Sequence, residues 1–344
     1  MRTSRFVAVF SLVAVVAFPA MAGADEVRIV PGPEAIEFKA GSTVAARYVI
    51  GPAVAKPYLY PVLTPRGIPV TRPWPMEAAP PMGTKDHVHQ KSVWFCHGDV
   101  IPVGLELKIK SANKGDQGVD FWSEAKDANG PRHGTIKCVK VGEPKQHAKN
   151  HASIETYNEW IAPDGQKILD EIRVLHFLDK PEGRLFVFDI TLKATVCPIR
   201  FGDTKEGSFG VRVRDELRME KRKDVLGGDG VLSNSAGKVG EKEIWGLPAD
   251  WVHSSGQADG NTIGIAVFNH PSNPQPSWHA RAYGLVAANP FGRERSGFPS
   301  QKGKTDLLAI EKGGQLKLKY AVYAHDGDLK TGQVAQTYVE FTKW

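Results

Sequence analysis

The stretch KDHVHQKSVWFCHGD, Lys85 to Asp99, holds His87, His89 and His97 together with Asp86, Asp99, Trp94 and Cys96. Those residue types support three chemistries. Histidines one residue apart beside acids can ligate a metal. A histidine and a carboxylate can act as acid and base on a bound substrate. The rings can also be satisfied inside a strand. On a strand His87, His89 and His97 share one face, but His87 and His97 stand roughly 33 Å apart if the segment is fully extended, at about 3.3 Å per residue. A cage of all three therefore needs a turn, which QKS could supply before VWFCH runs back. The stretch divides accordingly. Asp86 to Lys91 is too polar to be buried without partners and belongs at a site or in water, whereas Val93 to Cys96 is apolar on both faces and belongs inside a sandwich.

Other residues could complete such a site. Glu206, in GDTKEGSF, falls in a turn at the mouth of a strand, and Lys205 beside it could orient a substrate oxygen or simply face water. In SWHARAYG, Trp278 could stack on the face of a sugar while His279 and Arg281 hydrogen-bond its hydroxyls or a carboxylate. The same residues also fit a core ring and a structural ion pair. Arg72 lies in the loop TPRGIPVTRPWPMEAAPPMGTKDH, which runs into the histidine stretch, and a second loop rich in proline and glycine, NHPSNPQPSWHARAYGLVAANPFGRERSGFP, carries the SWHARAYG motif. Long loops holding such residues are where sites tend to be built. His176 in EIRVLHFL shares a face with Ile172 and Val174 and reads as a core histidine. His133, His147, His151 and His325 sit in polar loops with no motif around them.

The elements that must position these residues are strands. AIEFKA, VAARYVI, PYLYPVL, VGLELKIK, TIKCVKV, SIETYNEWI, KILDEIRVLHFL, RLFVFDITLKAT, SFGVRVR, TIGIAVFN and QLKLKYAVYA are short β-prone segments separated by turn residues, the pattern of an antiparallel all-β protein. Gly165 in APDGQ and Gly183 in KPEGR stand where a hairpin needs positive φ. Only Val334, Tyr338 and Phe341 recur at helical spacing, which predicts one short C-terminal helix. No repeat and no linker divides the chain, so a single domain over 23–344 is expected.

The first 22 residues read as a secretory signal peptide: Arg2 and Arg5 precede an apolar run from Phe6 to Phe18, and Ala20 and Ala22 form a small-residue cleavage site. A mature chain beginning at Gly23 or Asp25, periplasmic or secreted and with no membrane contact after cleavage, is the expectation. The formal charge is +6, from 44 basic and 38 acidic residues. Its densest basic stretch, RVRDELRMEKRK, is interleaved with acids, which makes a solvated face rather than a nucleic-acid footprint. Cys96, Cys138 and Cys197 contain no CxxC pair and allow at most one disulfide.

The motifs KPYLYPVLTPRGIPVTR, DHVHQKSVWFCHGDV, VDFW, GDTKEGSFGVRV, IGIAVFNHPSN and WHARAYGLVAANPFG, in that order, resemble the PmoA-like family of secreted bacterial proteins. The family is named for methane oxygenase, whose membrane subunit this chain, with no later apolar span, does not resemble; that activity is not implied here. Where the family pattern runs DHPHHRG, this chain has Val88, Gln90, Lys91 and Ser92, keeping the first two histidines and losing the third. Lys91 keeps the charge of the family arginine without its bidentate geometry. The order of motifs also resembles that of galactose-mutarotase-like supersandwiches, which implies a concave sheet face carrying histidines, an arginine and a glutamate that bind a sugar and move its protons.

The expectation is thus a large antiparallel β-sandwich, supersandwich-like, acting on a small-molecule or oligosaccharide substrate. Glu206 and a histidine from His87, His89 or His97 would serve as base and acid. Arg72, Lys91, Lys205, Trp278, His279 and Arg281 would bind a sugar or uronic acid. No cofactor or metal is called for by this reading. A glycan-binding module without catalysis and a metal-dependent oxidoreductase holding its ion on His87 and His89 are the alternatives.

Overall fold

The computed structural model describes residues 26–344 except 110, 112 and 114. The segment 1–22, read as a signal peptide, lies outside the described residues.

Two antiparallel sheets form the body. The first has eight strands in the order Val27–Pro31, Ala35–Ala40, Thr43–Val49, Tyr58–Val62, Val93–His97, Gly207–Arg212, Leu285–Asn289 and Ser277–Ala280. The second has nine. Its path is Lys145–Ala148, His151–Ile161, Lys167–Asp179, Gly183–Lys193, Gln315–Asp326, Asn261–Asn269, Trp251–Ala258 and Val231–Asn234, with Thr135–Val141 also paired to His151–Ile161. Alternation explains the core between them. Phe209 of the first sheet stacks on Tyr320 of the second with centroids 4.8 Å apart, so Ser208, Gly210 and Arg212 point the other way. The all-β sandwich expected from the segment pattern is the fold observed.

The expected hairpins form, with one difference of mechanism. Gly165 has φ +87°, as its turn requires. Gly183 does not adopt positive φ; a Cβ there would come within 2.4 Å of the Tyr323 ring, so glycine is needed for close approach. Residues 103–109, within VGLELKIK, do not form a strand. Leu105 and Leu107 are half-buried and alternate with exposed neighbours, but Val103 donates to Pro198 O and Lys108 to the Asp164 carboxylate rather than to a ladder partner. Alternation supplies two faces; a strand also needs an edge to pair with.

The C-terminal helix Val334–Phe341 covers the outer face of the second sheet, where Val334 and Phe341 are fully buried against Leu185, Val187, Phe268 and Tyr323. A one-turn helix, Glu241–Ile244, accompanies it elsewhere. Cys96, Cys138 and Cys197 are all free thiols. No helix among the described residues is long and apolar enough to cross a membrane.

Candidate active site

On the outer face of the eight-stranded sheet lies a pocket of about 290 Å³ whose walls include His87, His89, Lys205, Glu206, His279 and Arg281. Gln90, Asn113, Trp122, Ser123 and Tyr283 complete it. A larger hollow of about 700 Å³ is lined by the loop 79–86 with Arg222 and Val225.

Two buried arginines build one wall. Arg72 and Arg212 are fully buried, and both donate to Asp86 Oδ1, at 2.6 and 2.8 Å. Arg72 also reaches the Thr84 hydroxyl and the His87 carbonyl, while Arg212 donates to Gln90 Oε1 at 2.7 Å. Asp215 accepts from the Thr84 amide and hydroxyl, both at 2.7 Å. A loop with no strand partner is thereby held in one conformation, including His87 at φ +44°, a strained value for a residue with a Cβ. Residues 86–91 therefore lie in a loop, and the strand begins only at Val93. His87 and His89 do not share a strand face with His97.

Hydrogen bonding sets the tautomers of the rings. The His87 Nδ1–H donates to Asp86 Oδ2 at 2.7 Å, which leaves Nε2 as the nitrogen without a hydrogen-bond partner among the described residues. The His87 ring stacks on Tyr283, centroids 5.0 Å apart and 5° from parallel. His279 donates from Nδ1 to the Lys205 carbonyl at 3.0 Å, so its Nε2 is also an acceptor. Burial pulls His279 down to about 3, helped by the charges of Arg281 and Lys205. His89 is likewise pulled to about 3 by burial and by Lys56. Both are neutral at ordinary pH. Burial raises the Glu206 carboxyl, with Asp120 adding to the effect and Lys205, His87 and Arg281 opposing it. Burial also works to raise Asp86, but the His87 hydrogen bond and the charges of Arg212 and Arg72 outweigh it and hold the carboxyl well below the usual range.

Four expected site residues lie elsewhere. His97 is fully buried, with Nε2 bonded to Gly202 O at 2.8 Å and its ring packed on Phe291, so it belongs to the core. Trp278 is fully buried too, pointing into the sandwich and donating to Ala249 O at 2.9 Å; it cannot stack on a substrate. Its neighbour His279 faces the pocket because strand residues alternate. Arg72 supports the Asp86–His87 pair from behind. Lys91 is bound to both Glu124 oxygens, at 2.8 and 2.7 Å, in a cluster with Lys56. Lys205, by contrast, is exposed and makes no ion pair among the described residues. His176 is not a core residue; it sits half-buried on the outer face of the second sheet. Asp86 as the partner of His87, Arg212, and Tyr283 as a wall were not singled out from sequence; Tyr283 stands two residues after Arg281 in the quoted SWHARAYG.

The class this defines is an antiparallel β-sandwich with a histidine- and acid-lined pocket on the outer face of one sheet. The chain belongs to the family of unknown function DUF6807, which matches residues 35–339. No curated protein matches it. Among solved structures it is similar to a galactose mutarotase-like protein from Clostridium acetobutylicum, at 10% identity over 89% of this chain and 100% of that one, TM-score 0.44. It is also similar to a galactose mutarotase-like protein from Lactobacillus casei, at 9% identity over 87% and 100%, TM-score 0.36. A glycoside hydrolase family 97 enzyme in complex with panose, from Pseudoalteromonas sp. strain K8, matches at 9% identity over 81% of this chain and 34% of that one, TM-score 0.37. At these values no residue role passes from them to this chain.

Proposed function

We propose that the pocket binds a sugar, and by preference an acidic one, and that Glu206 and His87 move its protons. The observation that carries this reading is the meeting of a carboxyl raised by burial with a histidine whose tautomer Asp86 sets. A raised carboxyl keeps more of its proton toward neutral pH and can donate it to a sugar oxygen; the Nε2 of His87 can withdraw a proton from another position. His279 and His89, neutral and weakly basic, accept hydrogen bonds from hydroxyls. Lys205, exposed and without an ion pair among the described residues, supports a carboxylate-bearing substrate, a uronic acid or an acidic oligosaccharide. A second hollow of about 280 Å³ shares Asn113, Lys205 and Glu206 with the first, room for a further sugar unit. The PmoA-like resemblance of the motifs adds no activity to this reading.

A metal-dependent reaction on His87 and His89 is less well supported. Their rings meet edge to face, 5.7 Å apart, and although Asp86 is bonded to His87, among the described residues the group of three whose ligand atoms all lie within 4.8 Å of one another is elsewhere, at His147, His151 and His176.

The test is a thermal-shift panel of neutral sugars and uronic acids followed by turnover assays. The expected result is stabilisation by a uronic acid that Lys205→Ala weakens, and turnover lost by about 10²-fold or more in Glu206→Gln. Stabilisation by none of the panel, or full turnover in Glu206→Gln, overturns the reading. We also place the protein outside the cytoplasm on the strength of the 1–22 segment; an intact mass beginning at Gly23 or Asp25 is expected, and a full-length mass overturns it.

A further inference from the structure

Away from the pocket, on the outer face of the nine-stranded sheet, three histidines converge. His147 lies on the strand Lys145–Ala148, His151 opens His151–Ile161, and His176 is on Lys167–Asp179. The register brings them together. Ala152 and Ile154 point into the core, so His151 and Ser153 point outward, and Ser153 pairs directly with His176. The register shift between Gln146 and Ala148 falls at His147, whose Nε2 bonds the Ser153 hydroxyl at 2.7 Å.

The three rings each offer a nitrogen, and these nitrogens lie within 4.8 Å of one another. His151 Nε2 and His176 Nδ1 are 3.2 Å apart, joined by a hydrogen bond that a shared ion would replace. Two nitrogens bound to a tetrahedral zinc at about 2.0–2.1 Å stand about 3.3 Å apart, so this separation is already that of two ligands on one ion. Trp344 covers two of the rings, with centroids 5.1 Å from His151 and 4.9 Å from His176.

We propose that His147, His151 and His176 form a site for one late first-row divalent cation, with zinc the ion to probe it. Three imidazole nitrogens without a carboxylate suit zinc, copper or nickel and not magnesium or calcium. Three protein ligands leave a fourth position for water or a small ligand. The site stands independently of the sugar pocket, on the other sheet.

The test uses tag-free protein freed of metal with chelator and dialysed, titrated with zinc alone by calorimetry and by thermal shift. One equivalent bound with a rise in Tm is expected. His147→Ala, an exposed position that leaves the sheet intact, and His176→Gln should each weaken binding by more than about tenfold, since outer-sphere losses alone reach that size. His87→Ala in the pocket should leave zinc binding unchanged. Absence of stoichiometric binding in the folded parent protein, or binding that survives both His147→Ala and His176→Gln, overturns the proposal, and binding lost in His87→Ala moves the ion to the pocket.

Discussion

Each sheet buries one face against the other and covers its outer face by different means. On the second sheet, Leu185, Val187, Phe268 and Tyr323 make an apolar surface, and the helix Val334–Phe341 lies on it. On the first sheet, Arg212 and His279 make a polar surface, and loops lie on it, tied down by Arg72, Asp86, Asp215 and the Lys56–Glu124–Lys91 cluster. The apolar cover excludes water and is held by packing. The polar cover is held by directional, charged contacts, which can leave a concavity open and still fix the side chains around it. That is why the pocket belongs to one face and the helix to the other.

This contrast can be broken by mutation. The largest effect is expected from Trp94→Ala, which empties a fully buried site on the first sheet where the ring packs on Trp122, centroids 5.0 Å apart. A loss of about 3–5 kcal/mol in chemical denaturation is expected, with activity lost only as the fold is lost. Phe341→Ala should cost about 3 kcal/mol, at the lower end of that range because the helix can fray, and its effect should appear in hydrogen exchange of the helix and the second sheet, with the pocket intact. Equal protection changes in the two sheets would mean that the covers are not independent.

Arg72→Met tests the polar cover. Asp86 keeps Arg212 and is partly exposed, so the loss should be about 1.5–3 kcal/mol rather than the larger figure for an orphaned buried charge. Turnover should fall more than this predicts, because His87 loses its support. A variant with unchanged turnover would show that the Asp86–His87 pair does not depend on Arg72.

Titration separates the groups further. His89 and His279 are held near 3 in the folded protein, against about 6.5 unfolded. The unfolded chain therefore binds more protons between those values, and stability should fall as pH drops from about 6.5 toward 3. His151 and His176 contribute in the same window from the other face. His279→Gln and His176→Gln should each flatten part of this acid limb. The Asp86 contribution should persist until the pH falls below the ordinary carboxylate value of about 3.9.

The smallest effect is opposite in sign. Glu206 is raised in the folded state, so its ionisation disfavours folding as pH rises past the unfolded value of about 4.3. Glu206→Gln should be slightly more stable than the parent at neutral pH, with the difference vanishing below that value. A variant less stable at pH 7 would show that the carboxylate holds the fold.

Much of the architecture was legible. The β class, the paired hairpins and the helix spacing of Val334, Tyr338 and Phe341 follow from local period and turn chemistry. The candidate site was legible in part: His87, His89, Lys205, Glu206, His279 and Arg281 meet as their types suggested they could. Trp278 and His97 did not, because alternation puts successive residues on opposite faces without saying which face meets the core. Ser92 is instructive. Its φ of +55° is one that glycine adopts freely and a residue with a Cβ rarely does, and nothing in the neighbouring residues announces it.

What the sequence determined by itself was whatever depends on neighbours within a few positions: strand period, turn residues and an amphipathic helix. Tertiary structure alone decided which polar residues meet. Antiparallel pairing of Val93–His97 with Gly207–Arg212 puts Glu206 beside the His97 end, and His87 lines the same pocket because its loop is tied through Asp86 to Arg72 and Arg212 and its ring stacks on Tyr283; His147, His151 and His176 meet because two hairpins share a register. Ladder pairing and ties between distant segments set those distances, and no local period carries that information.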